Sequence, residues 1–256
     1  MTYIHAILLG CIEGITEFLP ISSTGHMILA AKLFSIPQTE FVKSFEIFVQ
    51  LAAILAVGIL YIKTVINKPK VLIPVVSAFI PTAIVGAILY KFIKHVLLGN
   101  AWVTVISLGL GGVILLVLDK TRKTDPDMTM DRLTIPKAVI VGLCQSLSVI
   151  PGVSRSAATI VGGMSTGLSR SSAVEFSFLL SIPTMAAATL LDLVQTKFSF
   201  TSSEWTALAI GSIAAFVTAW VSVRLFLTYV KKHDFTVFAI YRIIIACLFA
   251  YFVLLR

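Results

Sequence analysis

The sequence predicts an all-α polytopic membrane protein made of two inverted-topology repeats, each a re-entrant helical hairpin followed by three transmembrane helices. Three observations lead there. Of 256 residues, 58% are hydrophobic and 12% charged, with a mean hydropathy of +1.00, a balance that excludes a water-soluble globular domain of this size. The apolar runs are about 20 residues long, helical in scale and unlike the ten-residue alternating segments of a membrane barrel. Finally, each half of the chain opens with an apolar region broken by a polar island, first Glu13 to His26 and then Pro151 to Thr159.

The chain is read as a single membrane domain, residues 1–256, whose first repeat is 1–118. Residues 3–34 form its re-entrant hairpin: the run 3–21 resembles a span but carries His5, Glu13 and Glu17 and is broken by Pro20, and a second short helical piece runs from Gly25 to Phe34. Broken backbone is tolerated at membrane depth only where protein or a water-filled cavity satisfies it, so the polar turn should face a site. Spans at 45–62, 71–93 and 101–118 follow, separated by the basic segment Lys63 to Lys70 and a Leu98-Gly99-Asn100 turn. The stretch 119–136, rich in mixed charge and proline, is predicted as a mobile cytoplasmic linker.

The second repeat, 137–256, has its re-entrant region at 137–169, broken at Pro151-Gly152, and spans at 173–193, 205–230 and 236–255. The echo reaches single residues: Gly10-Cys11-Ile12-Glu13 parallels Gly142-Leu143-Cys144-Gln145, and an acid, Glu46 or Glu175, lies near the start of the next span. Four crossings or insertions per half, of which three are full spans, place the second half upside down. Lys63, Lys68, Lys70, Lys120, Arg122, Lys123, Arg132, Lys137, Arg170, Lys231 and Lys232 then collect on one face, against Lys32, Lys43, Lys91, Lys94, Lys197 and Arg256 on the other. The richer face is expected to be cytoplasmic and both termini outside, with the hairpin tips meeting near the midplane.

The net charge of +8 is thus a topology signal, and nucleic acid is excluded as a partner. Cys11, Cys144 and Cys247 have no metal-ligand spacing and read as small buried hydrophobes. The N-terminus has no basic residue before Lys32 and carries two acids in its apolar run, which does not fit a cleaved signal peptide.

The islands hold the chemistry. Glu13 and Glu17 are four apart and share one helix face; carboxylates at this depth need a proton, an interface or a partner. Ser22, Ser23 and Thr24 precede a helix start, as Ser154 and Ser156 flank Arg155 at another, so two helix N-termini with free N–H groups are aimed at one place and suit an anion. Arg155 matches phosphate oxygens bidentately, or else forms a salt bridge to Glu13 or Glu17. His26 is either a hydroxyl-bonded buried imidazole or a proton-transfer group. Glu46, Gln50 and Glu175 read as structural polar groups, and Asp192, Arg224 and Arg242 as residues of interfaces or helix contacts. One hairpin can move protons or hold a cation and the other can neutralise phosphate charge, the division phosphoryl transfer needs.

EGITEFLPISSTGH and PGVSRSAAT resemble the two signature motifs of the bacterial undecaprenyl pyrophosphate phosphatase family, which is associated with bacitracin resistance, and the resemblance continues through SFEIFVQLAAILAV, EFSFLLSIP and FAIYRI. It implies a multi-pass inner-membrane hydrolase that converts C55 isoprenyl diphosphate to the monophosphate carrier of cell-wall synthesis, with a site open to the periplasmic face. It also implies a divalent cation, Mg²⁺ or Ca²⁺, at the acids Glu13 and Glu17. The catalytic residues expected are Glu13, Glu17, Ser23, His26 and Arg155, with Ser22, Thr24, Gly152, Ser154, Ser156 and Thr159 binding substrate; Ser23, His26 and water remain alternative nucleophiles, with Ser23 assisted by His26 preferred. A polyprenyl-phosphate flippase is the competing class, since inverted repeats and broken helices also describe transporters. The sequence leaves the oligomeric state open, a homodimer included.

Overall fold

The computed structural model describes residues 1–37, 39–92, 97, 101–121, 125–195 and 200–251. The Leu98-Gly99-Asn100 turn, Lys94, Arg122, Lys123, Lys197 and Arg256 lie outside the described residues, as do the side chains of Lys91 and Asp192. What is described is helical, with no strand among the described residues. The helices are α1 (Tyr3–Thr16), α2 (Ser23–Leu33), α3 (Glu40–Asn67), α4 (Leu72–Phe92), α5 (Ala101–Thr121), α6 (Ile135–Ser146), α7 (Arg155–Ser165), α8 (Arg170–Gln195), α9 (Ser202–Val230) and α10 (Thr236–Phe249). The segments Glu40–Asn67, Pro69–Leu89, Ala101–Thr121, Arg170–Leu191 and Ser202–Val230 are long and apolar enough to cross a membrane, and the chain is a polytopic membrane protein.

Local chemistry sets the ends. Thr2 and Thr39 accept the first free N–H groups of α1 and α3, and Thr201 with Glu204 forms a reciprocal capping box on α9. Several helices run past their expected limits: α3 begins at Glu40 rather than 45 and ends at Asn67 rather than 62, because capped polar turns continue the helix beyond its apolar stretch. α1, by contrast, stops at Thr16, five residues short of the run that resembled a span.

Side-chain contacts tie the helix ends together in two groups. At one end the start of α1 and the end of α2 meet through the stacked rings of His5 and Phe34, with Phe41 against Phe200 beside them. At the other, Asp119 at the end of α5 takes Arg170 Nε, at 2.6 Å, and the Phe235 N–H, at 2.7 Å, while Ser169 N–H donates to Met128 O. Lys68, Arg132, Arg170 and Lys231 gather at this second end. The linker expected to be a mobile surface loop is docked there: Met130 and Leu133 are buried in the core, since burying two large apolar side chains is worth about 1.5–3 kcal/mol each.

Packing crosses between the halves. α1 lies against α9 of the second half, and α6 lies against α4 of the first; α3 faces α8, and α5 faces α10. The echoed glycines explain the first two contacts. A Cβ on Gly10 would stand 2.3 Å from Gly211 O, one on Gly14 2.3 Å from Ala215 O, and one on Gly142 2.1 Å from Ala78 O, so the backbones touch as small-residue membrane interfaces allow. Large apolar side chains such as Ile80, Leu110, Ile213 and Leu225 face outward, as they do where the solvent is lipid. Cys11 and Cys144 are half-buried and Cys247 exposed; Cys247 corrects the expectation of burial, its position on α10 facing outward where a thiol is as comfortable as a methyl group.

Gly10→Val therefore lowers stability by about 1–3 kcal/mol through overpacking of α1 on α9, read as thermal unfolding in detergent. Gly58→Ala inside α3, where no atom lies within 4 Å of the added carbon, does not lower the transition and raises it by the helix preference of alanine, about 0.5–1 kcal/mol.

Candidate active site

The turn after α1 covers 17–21 and the turn before α7 covers 150–154, and the two meet in the bundle interior. Each leads into its helix through a serine with positive φ: Ser22 has φ 70° and Ser154 φ 73°. A side chain at positive φ is costly and persists where the surroundings over-determine it. Each serine occupies the N-cap position of its helix, yet only Ser154 caps with its side chain, accepting Ala157 N–H at 3.2 Å. Ser22 makes no such bond and lines a cavity.

Two direct bonds join the turns. Ser156 Oγ donates to Phe18 O at 2.7 Å, and Arg155 Nη2 donates to Glu17 Oε1 at 2.9 Å. The other oxygen of Glu17, Oε2, accepts Ser23 Oγ at 2.5 Å. One carboxylate thus holds a hydroxyl from its own hairpin and a guanidinium from the other. Arg155 is steadied further by Ser177 O at 3.1 Å and lies over the Phe18 ring, while its Nε is buried with no hydrogen-bond partner.

The cavity at this junction has a volume of about 140 Å³ and is lined by Glu17, Ser22, Ser23, Thr24, Gln50, Ser148, Ile150, Pro151, Gly152, Ser154, Arg155 and Met185. A water occupies about 30 Å³ of liquid, so the space suits a small polar headgroup and not a long hydrocarbon chain. It is lined by residues from the starts of two helices, whose first turns leave N–H groups without intrahelical partners, by the Arg155 guanidinium and by several hydroxyls. Such an arrangement stabilises an anion.

Some expected residues stand back from the cavity. Thr159 is fully buried, 2.6 Å from Ser177 Oγ, and so supports the residue that holds Arg155. Ser156 serves as the tie to Phe18. Glu13 lies beneath Glu17, about 1% exposed; neither of its oxygens has a hydrogen-bond donor among the described residues, and Glu17 and Glu46 act on it as like charges. His26 faces away from Ser23. Its Nδ1 lies 2.8 Å from Ser22 O and its Nε2 2.7 Å from Tyr241 Oη, with the two rings stacked. A carbonyl only accepts, so Nδ1 carries the proton and Nε2 of the neutral ring takes the Tyr241 hydroxyl's. The preferred Ser23–His26 pairing is not what the structure holds: Glu17, six residues before Ser23, reaches the hydroxyl because the tight turn folds it back over the start of α2.

The residues present can be tested against a divalent cation. Among the described residues no group of three or more His, Cys, Asp or Glu is placed to bind one. The two unpartnered oxygens of Glu13 nevertheless fit a hard, oxygen-seeking ion, and Mg²⁺ commonly takes one or two carboxylates and completes its shell with water and substrate phosphates. Glu17 can join only by releasing Ser23 or Arg155.

Several residues of the site were not singled out by the sequence. Gln50, assigned a structural role, and Ser148 and Met185, not considered, line the cavity; their α3, α6-end and α8 positions come near only through the crossed packing of the halves. Arg242, expected at an interface or in a helix contact, makes helix contacts and is fully buried at the centre. Its Nη1 donates to Pro20 O at 3.0 Å, its Nη2 to Gly152 O and Val153 O, both at 3.0 Å, and its Nε to Leu108 O at 3.2 Å. Nothing near these turns in sequence signals it.

The bacitracin resistance protein BacA family model matches residues 6–248 of the chain. The undecaprenyl-diphosphatase of Aquifex aeolicus (strain VF5) is 50% identical over 255 residues, 99% of this chain and 100% of that one. Those of Sulfurihydrogenibium sp. (strain YO3AOP1) and Persephonella marina (strain DSM 14350 / EX-H1) are 43% and 44% identical, over 97% and 99% of this chain and 98% and 100% of their own.

Ser156→Ala removes a buried tie between the turns and leaves Phe18 O without its donor, a loss of about 1–3 kcal/mol seen as a lower unfolding midpoint.

Proposed function

The chain belongs to the bacitracin resistance protein BacA family, and on that premise we propose that it is an integral-membrane undecaprenyl-diphosphate phosphatase. It hydrolyses undecaprenyl diphosphate to undecaprenyl phosphate and inorganic phosphate, recycling the lipid carrier for cell-wall synthesis and conferring bacitracin resistance. The observation that carries the reading at the level of residues is the position of Glu17, one oxygen on Ser23 and the other on Arg155 at the edge of a polar cavity. The flippase alternative is set aside: the relatives bear a hydrolase's name, and the site holds a hydroxyl paired with a base.

Arg155 binds the diphosphate through the Nη2 now on Glu17, with the N–H groups of the α2 and α7 starts and the hydroxyls of Ser22, Thr24 and Ser154 around the phosphate oxygens. Ser23 Oγ then attacks the terminal phosphorus. Its proton passes to Glu17 Oε2 and the P–O bond to the bridging oxygen breaks, the electron pair leaving on undecaprenyl phosphate. Water next attacks the phosphoserine; as the P–Oγ bond breaks, Glu17 returns its proton to Ser23, and the water oxygen leaves with both its protons carried on the departing inorganic phosphate. His26, held by Ser22 O and Tyr241, fixes the start of α2 rather than taking the serine proton. A divalent cation held by Glu13 and Glu17 would supply positive charge to the phosphoryl oxygens.

The orientation completes the proposal. The two halves are inverted-topology repeats, the end that gathers Lys68, Arg132, Arg170 and Lys231 faces the cytoplasm, both termini lie outside, and the cavity opens to the periplasmic face of the inner membrane.

Phosphate release from C55 isoprenyl diphosphate by purified protein tests the reading. Ser23→Ala and Arg155→Ala, each folded by thermal unfolding, lose on the order of 10²–10³-fold in kcat; near-wild-type release by Ser23→Ala removes that nucleophile. Chelator abolishes turnover and Mg²⁺ or Ca²⁺ restores it, whereas full activity in chelator overturns the cation assignment.

A further inference from the structure

Inside an apolar bundle a broken helix leaves carbonyl oxygens without N–H partners, and no water is at hand to satisfy them. The two catalytic turns have such oxygens at Pro20, Pro151, Gly152 and Val153. Arg242 of α10 takes three of them, Pro20 from the first hairpin and Gly152 and Val153 from the second. Ser107 of α5 donates to the fourth, Pro151 O. The same guanidinium reaches back to Leu108 O at 3.2 Å and Ser107 O at 3.4 Å, so α5, α10 and both turns are tied through one planar group. All five bonds go to main-chain carbonyls, and among the described residues no carboxylate forms an ion pair with Arg242. The surroundings make room for it: a Cβ on Gly111 would stand 2.1 Å from Arg242 Nη2, and one on Gly152 2.4 Å from Thr104 O.

We infer that Arg242 is a positioning residue for the hydrolysis: it sets the first turn, which carries Glu17 and Ser23, against the second, which carries Ser154 and Arg155. Each of its three nitrogens donates to the backbone, so it acts through the turns and not on the phosphate. Burying a lone cation here is costly, and the carbonyls of two halves, rather than a counter-ion, are what hold it. Lysine cannot replace it, since an ammonium is a single point and the guanidinium is a flat fork whose nitrogens reach separate acceptors. Neighbouring Tyr241 bonds His26 of α2, so α10 grips the first hairpin at two points.

The inference rests on the hydrolase reading, and wild-type turnover tests that separately. Arg242→Lys keeps the charge but loses the fork, and Gly111→Ala keeps Arg242 but crowds it. Each is purified in detergent, checked for a monodisperse peak and a cooperative unfolding transition, and assayed for phosphate release from C55 isoprenyl diphosphate beside Arg224→Lys, whose arginine only stacks on Trp220. A small misplacement of reacting groups lowers the chemical step, so kcat falls on the order of 10²-fold with KM within about threefold in whichever variant folds, while Arg224→Lys matches wild type. The assignment is overturned if a folded Arg242→Lys protein keeps kcat within about threefold of wild type, or if the loss appears in KM alone. Failure of both variants to fold also overturns it, making Arg242 a folding determinant. Absence of wild-type turnover overturns the hydrolase reading instead.

Discussion

Glu17 and Arg155 stand 138 positions apart in the chain and 2.9 Å apart in the bundle, and neither charge could remain there alone. Both side chains are about nine-tenths buried, and removing one partner of a buried pair costs about 3–5 kcal/mol because the other is stranded. The pair therefore brings together two turns that belong to different halves, and in doing so it also makes a site. Glu17 accepts the Ser23 hydroxyl, and Arg155 is held beside the cavity by a partner that an anion can replace. On the proposed mechanism, the resting bridge and the working site are two states of the same groups.

That bridge depends on an unusual backbone. Two short helices in each half stop inside the bundle, leaving carbonyls that only a donor from elsewhere can satisfy. Arg242 and Ser107 provide it from α10 and α5. Glycines at 10, 14 and 142 let α1 sit on α9 and α6 on α4 with backbones in contact, which brings each hairpin under the other half's long helices. Stability and chemistry are joined here: the groups that keep the broken helices folded are those that aim Ser23 and Arg155.

Much of this was legible in the sequence because it is written locally. Hydropathy marked the long helices, and Pro20 and Pro151-Gly152 marked the breaks. The hydroxyl-rich helix starts and the isolated Arg155 pointed to anion binding, and a salt bridge from Arg155 to Glu17 was one of its stated alternatives. The rest was hidden by distance or by geometry. The contacts of Arg242 with Pro20, 222 positions away, leave no local pattern, since one arginine in an apolar helix reads equally as an interface residue. Gln50, Ser148 and Met185 enter the cavity only through crossed packing. The partner of Ser23 depended on how a five-residue turn folds: spacing permitted His26, three residues on, but helix geometry aims that ring along α2 toward Tyr241 while the turn carries Glu17 back to the hydroxyl. Met130 and Leu133 show the same limit in the linker, where two apolar residues among many charges were enough to dock it.

The central claim is that Glu17 serves Ser23 and Arg155 as one unit. A double-mutant cycle in kcat/KM with Glu17→Gln and Arg155→Lys measures it on folded protein with C55 isoprenyl diphosphate. Groups that act as a unit are strongly non-additive, so the double variant is predicted to be no slower than about threefold below the slower single variant. Losses that multiply, with the double variant slower by the product of the two, would contradict it.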